Sequence, residues 1–159
     1  LLHLISNVYK VDSGEILIDG VCIDDSTKEY LASHISVVHQ DVTLNNESFY
    51  DDYVKKDIDN AIKDLGVTNV FRGVNRENNI GIGGSKLSRG QRQVLSIIRE
   101  YVMNKKIYLF DEPTASLDDD STRDVIRMLN KMSRMNKTII VVSHDIRVSR
   151  NVDFFIKMK

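Results

Sequence analysis

Four consecutive apolar residues, Ile107-Tyr108-Leu109-Phe110, run directly into two carboxylates, Asp111 and Glu112, and then into Pro113. A strand with one solvated face alternates polar and apolar residues. An unbroken apolar run implies that both faces are covered, the environment of a parallel sheet held between helices. A second such run, Ile139 to Val142, follows after a helical pattern. Strands that alternate with helices give an α/β fold with a mainly parallel sheet flanked by helices.

The rest of the chain fits this frame. Leu1 to Val8 reads as the tail of a helix, Asp12-Ser13-Gly14 as a turn, and Glu15 to Gly20 as a short strand closed by a turn. Thr27 to Ser33 forms a short helix, and Ile35 to His39 a β-branched strand ending at Gln40. From Asp41 to about Asn79 the chain turns polar. Within that stretch Ile58, Ala61, Ile62 and Leu65 recur at helical spacing, stopped by Gly66. Asn78 to Lys86 is a glycine-bearing loop. Ser88 to Met103 sets Val94, Leu95, Ile98, Tyr101 and Val102 on one helical face. Asp119 to Met135 is a second long helix, with acids in its first turn and Lys131 and Arg134 in its last. Thr138 to Val142 reads as a buried strand, and Asp153 to Met158 as a last strand.

Three local patterns carry chemistry. Asp111, at the carboxyl end of a buried strand, suits Mg²⁺ held through water, and Glu112 could polarise an attacking water. The plain alternative is a strand ending in solvated acids. Ser88-Arg89-Gly90-Gln91 is a capping box, which explains a helix start without any ligand. The same free N–H groups, beside a glycine and a hydroxyl, also suit phosphate. Val141-Val142-Ser143-His144-Asp145 delivers a histidine at a strand end, able to donate to a phosphate or assist proton transfer.

Order and spacing join these patterns. A strand ending in Gln40 is followed by a polar helical insert and by Leu87-Ser88-Arg89-Gly90-Gln91 opening a helix. Then come Asp111-Glu112-Pro113-Thr114, Ala115-Ser116-Leu117-Asp118 and Ser143-His144-Asp145. The series resembles the nucleotide-binding domain of ABC (ATP-binding cassette) transporters over nearly the whole chain. The resemblance implies a P-loop NTPase-like fold with a helical subdomain at about residues 41–90 and an α/β core in the remainder of residues 1–159. It implies ATP and Mg²⁺ as cofactors. By position, Gln40 resembles the Q-loop glutamine that senses Mg²⁺ and the attacking water. Ser88, Gly90 and Gln91 fall in the signature that caps ATP held by an opposite subunit. Asp111 resembles the Walker B aspartate, a Mg²⁺ ligand, and Glu112 the general base. Asp118 lies in the D-loop, and His144 resembles the switch histidine at the γ-phosphate. The implied partners are a second nucleotide-binding domain in a head-to-tail dimer and a transmembrane domain, at the cytoplasmic face of the membrane. Thr43 to Ser48 looks more like exporters than importers.

There are departures from the family pattern. No glycine is followed by lysine, so the chain carries no G-x-x-x-x-G-K-S/T phosphate cradle. Leu1 to Ile5 resembles the helix that follows one, so the chain is expected to be cut at both ends and by itself nearly inactive. Arg89 replaces the usual glycine, and Ile82 stands near where exporters place a glutamate that touches the transmembrane part. Two alternatives bear on function. A chromosome-maintenance or DNA-repair ATPase head would need a long coiled coil between Gln40 and Leu87, and no sustained heptad pattern lies there. A degenerate, non-catalytic partner subunit would not need both Glu112 and His144. With 159 residues, 42% hydrophobic and 28% charged, the chain is the size of about one globular domain, and a net charge of -1 gives no reason to expect nucleic acid. Cys22 is the only cysteine, which excludes an internal disulfide, and it reads as a small buried residue.

Overall fold

The computed structural model describes residues 1–24, 27–40, 44, 48–50 and 55–157. Its elements are α1 (Leu2–Ile5), β1 (Leu17–Ile18), β2 (Val21–Cys22), α2 (Lys28–His34), β3 (Ile35–Val38) and α3 (Lys55–Leu65). They continue with α4 (Arg89–Val102), β4 (Ile107–Asp111), α5 (Asp119–Arg134), β5 (Thr138–Val142) and α6 (Ile146–Ser149). β3, β4 and β5 form a parallel sheet in that order. The register sets Val38 beside Phe110, and Asp111 beside Val142.

The unbroken apolar run in β4 has a direct cause, since helices cover both of its faces. Tyr108 and Phe110, fully buried, point into one layer with Ile58, Leu65, Val94, Ile98, Val125 and Met128 of α3, α4 and α5. Leu109, equally buried, points the other way, to Leu2 of α1 and Leu31 of α2. Each such side chain contributes roughly 1.5–3 kcal/mol by leaving water. The rings of Tyr108 and Phe110 stack with centroids 6.4 Å apart, and burial pushes the Tyr108 hydroxyl up to about 12.

α4 is buried more widely than its predicted stripe, because Ile97 is also sealed from solvent. The helix packs against α3, α5 and β3 at once, so a narrow apolar face would not suffice. Buried Arg99 of α4 extends the contact: its Nη2 donates to the carbonyls of Ser48 at 2.6 Å and Phe49 at 3.3 Å. Ser36 of β3 donates to Glu100 at 2.5 Å.

Four expectations are corrected. Cys22 is exposed, because it lies on a two-stranded antiparallel hairpin with both residues of β2 facing solvent. That hairpin replaces the single strand expected over Glu15 to Gly20: the positive φ of Asp19 and Gly20 turns the chain back on itself. β5 is apolar but only partly buried, since among the described residues no strand pairs with its outer edge. The strand expected from Asp153 to Met158 does not form over 153–157, where Phe154, Phe155 and Ile156 stand exposed without a neighbouring strand; Met158 lies outside the described residues. Of Thr43 to Ser48, only Leu44 and Ser48 are described. The Asn78 to Lys86 loop contains a 3-10 turn, Ile82–Gly84, which lifts Ile82 into solvent.

Candidate functional site

Because the three strands are parallel, their carboxyl ends lie at one edge of the sheet, the location where α/β proteins bind ligands. Gln40 follows β3 by two residues and is exposed. Asp111 closes β4 and is half-buried. Ser143 and His144 follow β5 directly.

At Glu112 the backbone leaves the strand through a left-handed conformation, φ 45°, uncommon for a residue with a Cβ. Its N–H still donates to the Val142 carbonyl at 2.9 Å, holding the turn against β5. The carboxylate thereby meets the next strand end. It accepts from the His144 N–H at 3.1 Å, from His144 Nδ1 at 2.8 Å and from Ser143 Oγ at 3.2 Å. An ionised carboxylate only accepts, so Nδ1 carries the proton and Nε2 faces outward. The two side chains differ in exposure: 17% for Glu112 and 85% for His144. A sheltered carboxylate therefore orients an imidazole that remains open to a ligand. The structure thus brings together Glu112 and His144, which the sequence had put on separate strands.

The start of α4 is built differently. Ser88 Oγ accepts from the Gln91 N–H at 3.1 Å, and Gln91 Oε1 accepts from the Ser88 N–H at 2.9 Å, a complete capping box. The other end of that amide, Nε2, donates to the Val70 carbonyl at 3.0 Å. Gln91 is thus committed within the chain at both ends of its amide. Gly90 is buried against the first turn of α5, where a Cβ would overlap Ser121 Oγ and Cβ. Glycine is therefore required there for packing. Ser88 and Arg89 are exposed.

Asp118 caps α5, accepting from the Ser121 N–H at 2.8 Å, and this bond lowers its carboxyl below the ordinary range. Asp145 caps α6 and is held lower still, at about 2, chiefly by the Arg147 guanidinium. It also accepts from Thr114 Oγ1 at 3.2 Å. Thr114, Ser143 and Arg147 were not singled out from the sequence. Ser143 and Thr114 stand within the motifs, but the partner of each is 31 positions away.

No group of three or more His, Cys, Asp or Glu residues able to hold a metal occurs among the described residues. Asp111 and Gln40 carry oxygen donors of the kind a hard cation takes. No described helix is long and apolar enough to cross a membrane.

The family described as ABC transporter matches residues 1–115. An ATP-dependent lipid A-core flippase of Francisella tularensis subsp. holarctica (strain OSU18) is 35% identical over 99% of this chain and 27% of its own length. That of Pasteurella multocida (strain Pm70) is 32% identical over 96% of the chain and 28% of its length. A solved structure of a bacterial Atm1-family ABC exporter with ATP bound superposes with a TM-score of 0.76 and 29% identity, over 92% of this chain and 27% of that one. The chain spans about a quarter of the length of these relatives.

Proposed function

The chain belongs to the ABC transporter family, and from that premise we propose that it forms the ATP-binding and ATP-hydrolysing part of an exporter at the cytoplasmic face of a membrane. Its partners would be a transmembrane domain and a second nucleotide-binding domain docked head to tail. The observation that carries this reading is the Glu112–His144 pair at the carboxyl ends of β4 and β5.

The chemistry is phosphoryl transfer to water, in which a protein mainly positions groups and stabilises charge. Glu112 takes the proton of the attacking water. Its Oε2 holds the longer contacts, from Ser143 Oγ at 3.2 Å and the His144 N–H at 3.4 Å, and is the oxygen more readily released to the water. His144, held through Nδ1, points Nε2 toward the γ-phosphate. Asp111 and Gln40 would hold Mg²⁺, which when bound neutralises phosphate charge. Exposed Ser88, at the start of α4, would face the nucleotide of the opposite domain. Arg89, exposed beside it, adds a positive charge at that contact.

The test is Mg²⁺-dependent ATP hydrolysis by the full-length protein. Glu112→Gln keeps the side chain's shape and removes the base. Turnover should fall about 10²- to 10³-fold while nucleotide binding persists. Hydrolysis that survives Glu112→Gln unchanged would sink the assignment.

A further inference from the structure

Arg147 lies outside every motif considered above, yet its guanidinium joins two segments of the site. Nε donates to the two oxygens of Asp145 at 3.0 and 3.1 Å, and Nη2 donates to Oδ2 at 2.8 Å. Nη1 reaches away to Asp119 Oδ1 at 2.6 Å. With the Thr114–Asp145 bond, three separate stretches are tied: the turn after β4, the first residue of α5, and the link from β5 into α6. Each tied residue stands within two positions of a proposed functional one, namely Glu112, Asp118 and His144.

Capping does not account for this arrangement. The cap of α6 needs only the Arg147 N–H, which donates to Asp145 Oδ1 at 2.9 Å. The fork does more, because a planar guanidinium can meet two carboxylates at once where an ammonium acts as a single point charge. Its pull is passed on in two directions. Toward the sheet, Ser143 Oγ accepts from the Asp145 N–H at 3.0 Å and donates to Glu112. Toward the helices, Asp119 opens the turn of α5 whose Ser121 rests on Gly90 at the start of α4.

We infer that Arg147 is a positioning residue, setting the Ser143–His144 turn against the first turn of α5 so that the Glu112–His144 pair and the start of α4 keep a fixed relation. The inference rests on the reading of Glu112 as the base. An ion pair that merely decorates the surface behaves differently. Arg147 is 41% exposed and Asp119 89% exposed, and such pairs add little to stability. A decorative pair would therefore leave kinetics untouched.

The experiment compares steady-state ATP hydrolysis and thermal melting of the full-length wild type, Arg147→Gln, Arg147→Lys, Asp119→Asn, the Arg147→Gln/Asp119→Asn double variant and Arg150→Gln. Arg150, exposed about one turn further on, controls for loss of charge alone. Arg147→Gln should lower kcat about tenfold with KM for ATP within about twofold, the pattern of misplaced groups rather than weakened binding, and with Tm nearly unchanged. Arg147→Lys should recover part of the loss, Arg150→Gln should match wild type, and the double variant should be no slower than Arg147→Gln. Equal kcat in wild type and Arg147→Gln, an equal loss in Arg150→Gln, or additive losses in the double variant would overturn the inference and leave the ATPase assignment standing. Wild-type turnover indifferent to Glu112→Gln would remove both.

Discussion

Asp145 shows how much one side chain can be asked to do. Its carboxyl caps α6, receives Thr114 and anchors Arg147, and the guanidinium holds it at about 2. In the unfolded chain the same group titrates near about 4. The folded value is the lower one, so the deprotonated form favours folding. The stabilisation is complete above about pH 4 and disappears as pH falls toward 2. Arg147 is partly solvated, so the effect is about 1 kcal/mol rather than the full value of the shift. Denaturant unfolding of wild type and Asp145→Asn at pH 6 and pH 2.5 should show a stability gap that closes at the lower pH. A gap independent of pH would contradict the argument.

Elements differ in how plainly the sequence announces them. α4 and α5 were legible to within a residue, because long amphipathic periods with caps leave little freedom. β4 was legible because an apolar run of that kind needs cover on both faces. The β1–β2 hairpin was not, since strands of two residues carry no period. The apolar stretch after Asp153 has strand composition, but composition supplies no hydrogen-bonding neighbour. In the candidate site, motif order singled out Glu112 and His144. Their contact, and the bridge from Arg147 to Asp119, join residues 28 or more positions apart and leave no local signal. Gly90 belongs to this scale too, because its role is the spacing of two helices. Gly90→Ala should destabilise the fold by about 1–3 kcal/mol through overlap with Ser121. Ser121→Gly, which clears the overlap, should restore most of the loss in denaturant unfolding. Failure of that rescue would mean that Gly90 is required for another reason.

At the scale of the whole molecule, apolar surface is unevenly distributed. Phe154 is 91% exposed and Ile156 83%, while β5 has an unpaired outer edge among the described residues. Edges and apolar patches of this kind invite strand pairing or association. The 159-residue polypeptide should self-associate in sedimentation velocity as concentration rises, and Phe154→Lys with Ile156→Lys should suppress it. A monomer at all concentrations for both would refute this. The strand register has a further consequence, for the order of events during synthesis. Ile35 pairs with Ile107, 72 positions later. At ribosomal rates β3 waits roughly 4–14 s for the strand that completes its hydrogen bonds. Through that interval its buried residues depend on whatever α3 and the segments around it can cover. The slowest risk to this chain therefore falls before Asp111, Glu112 and His144 have been made.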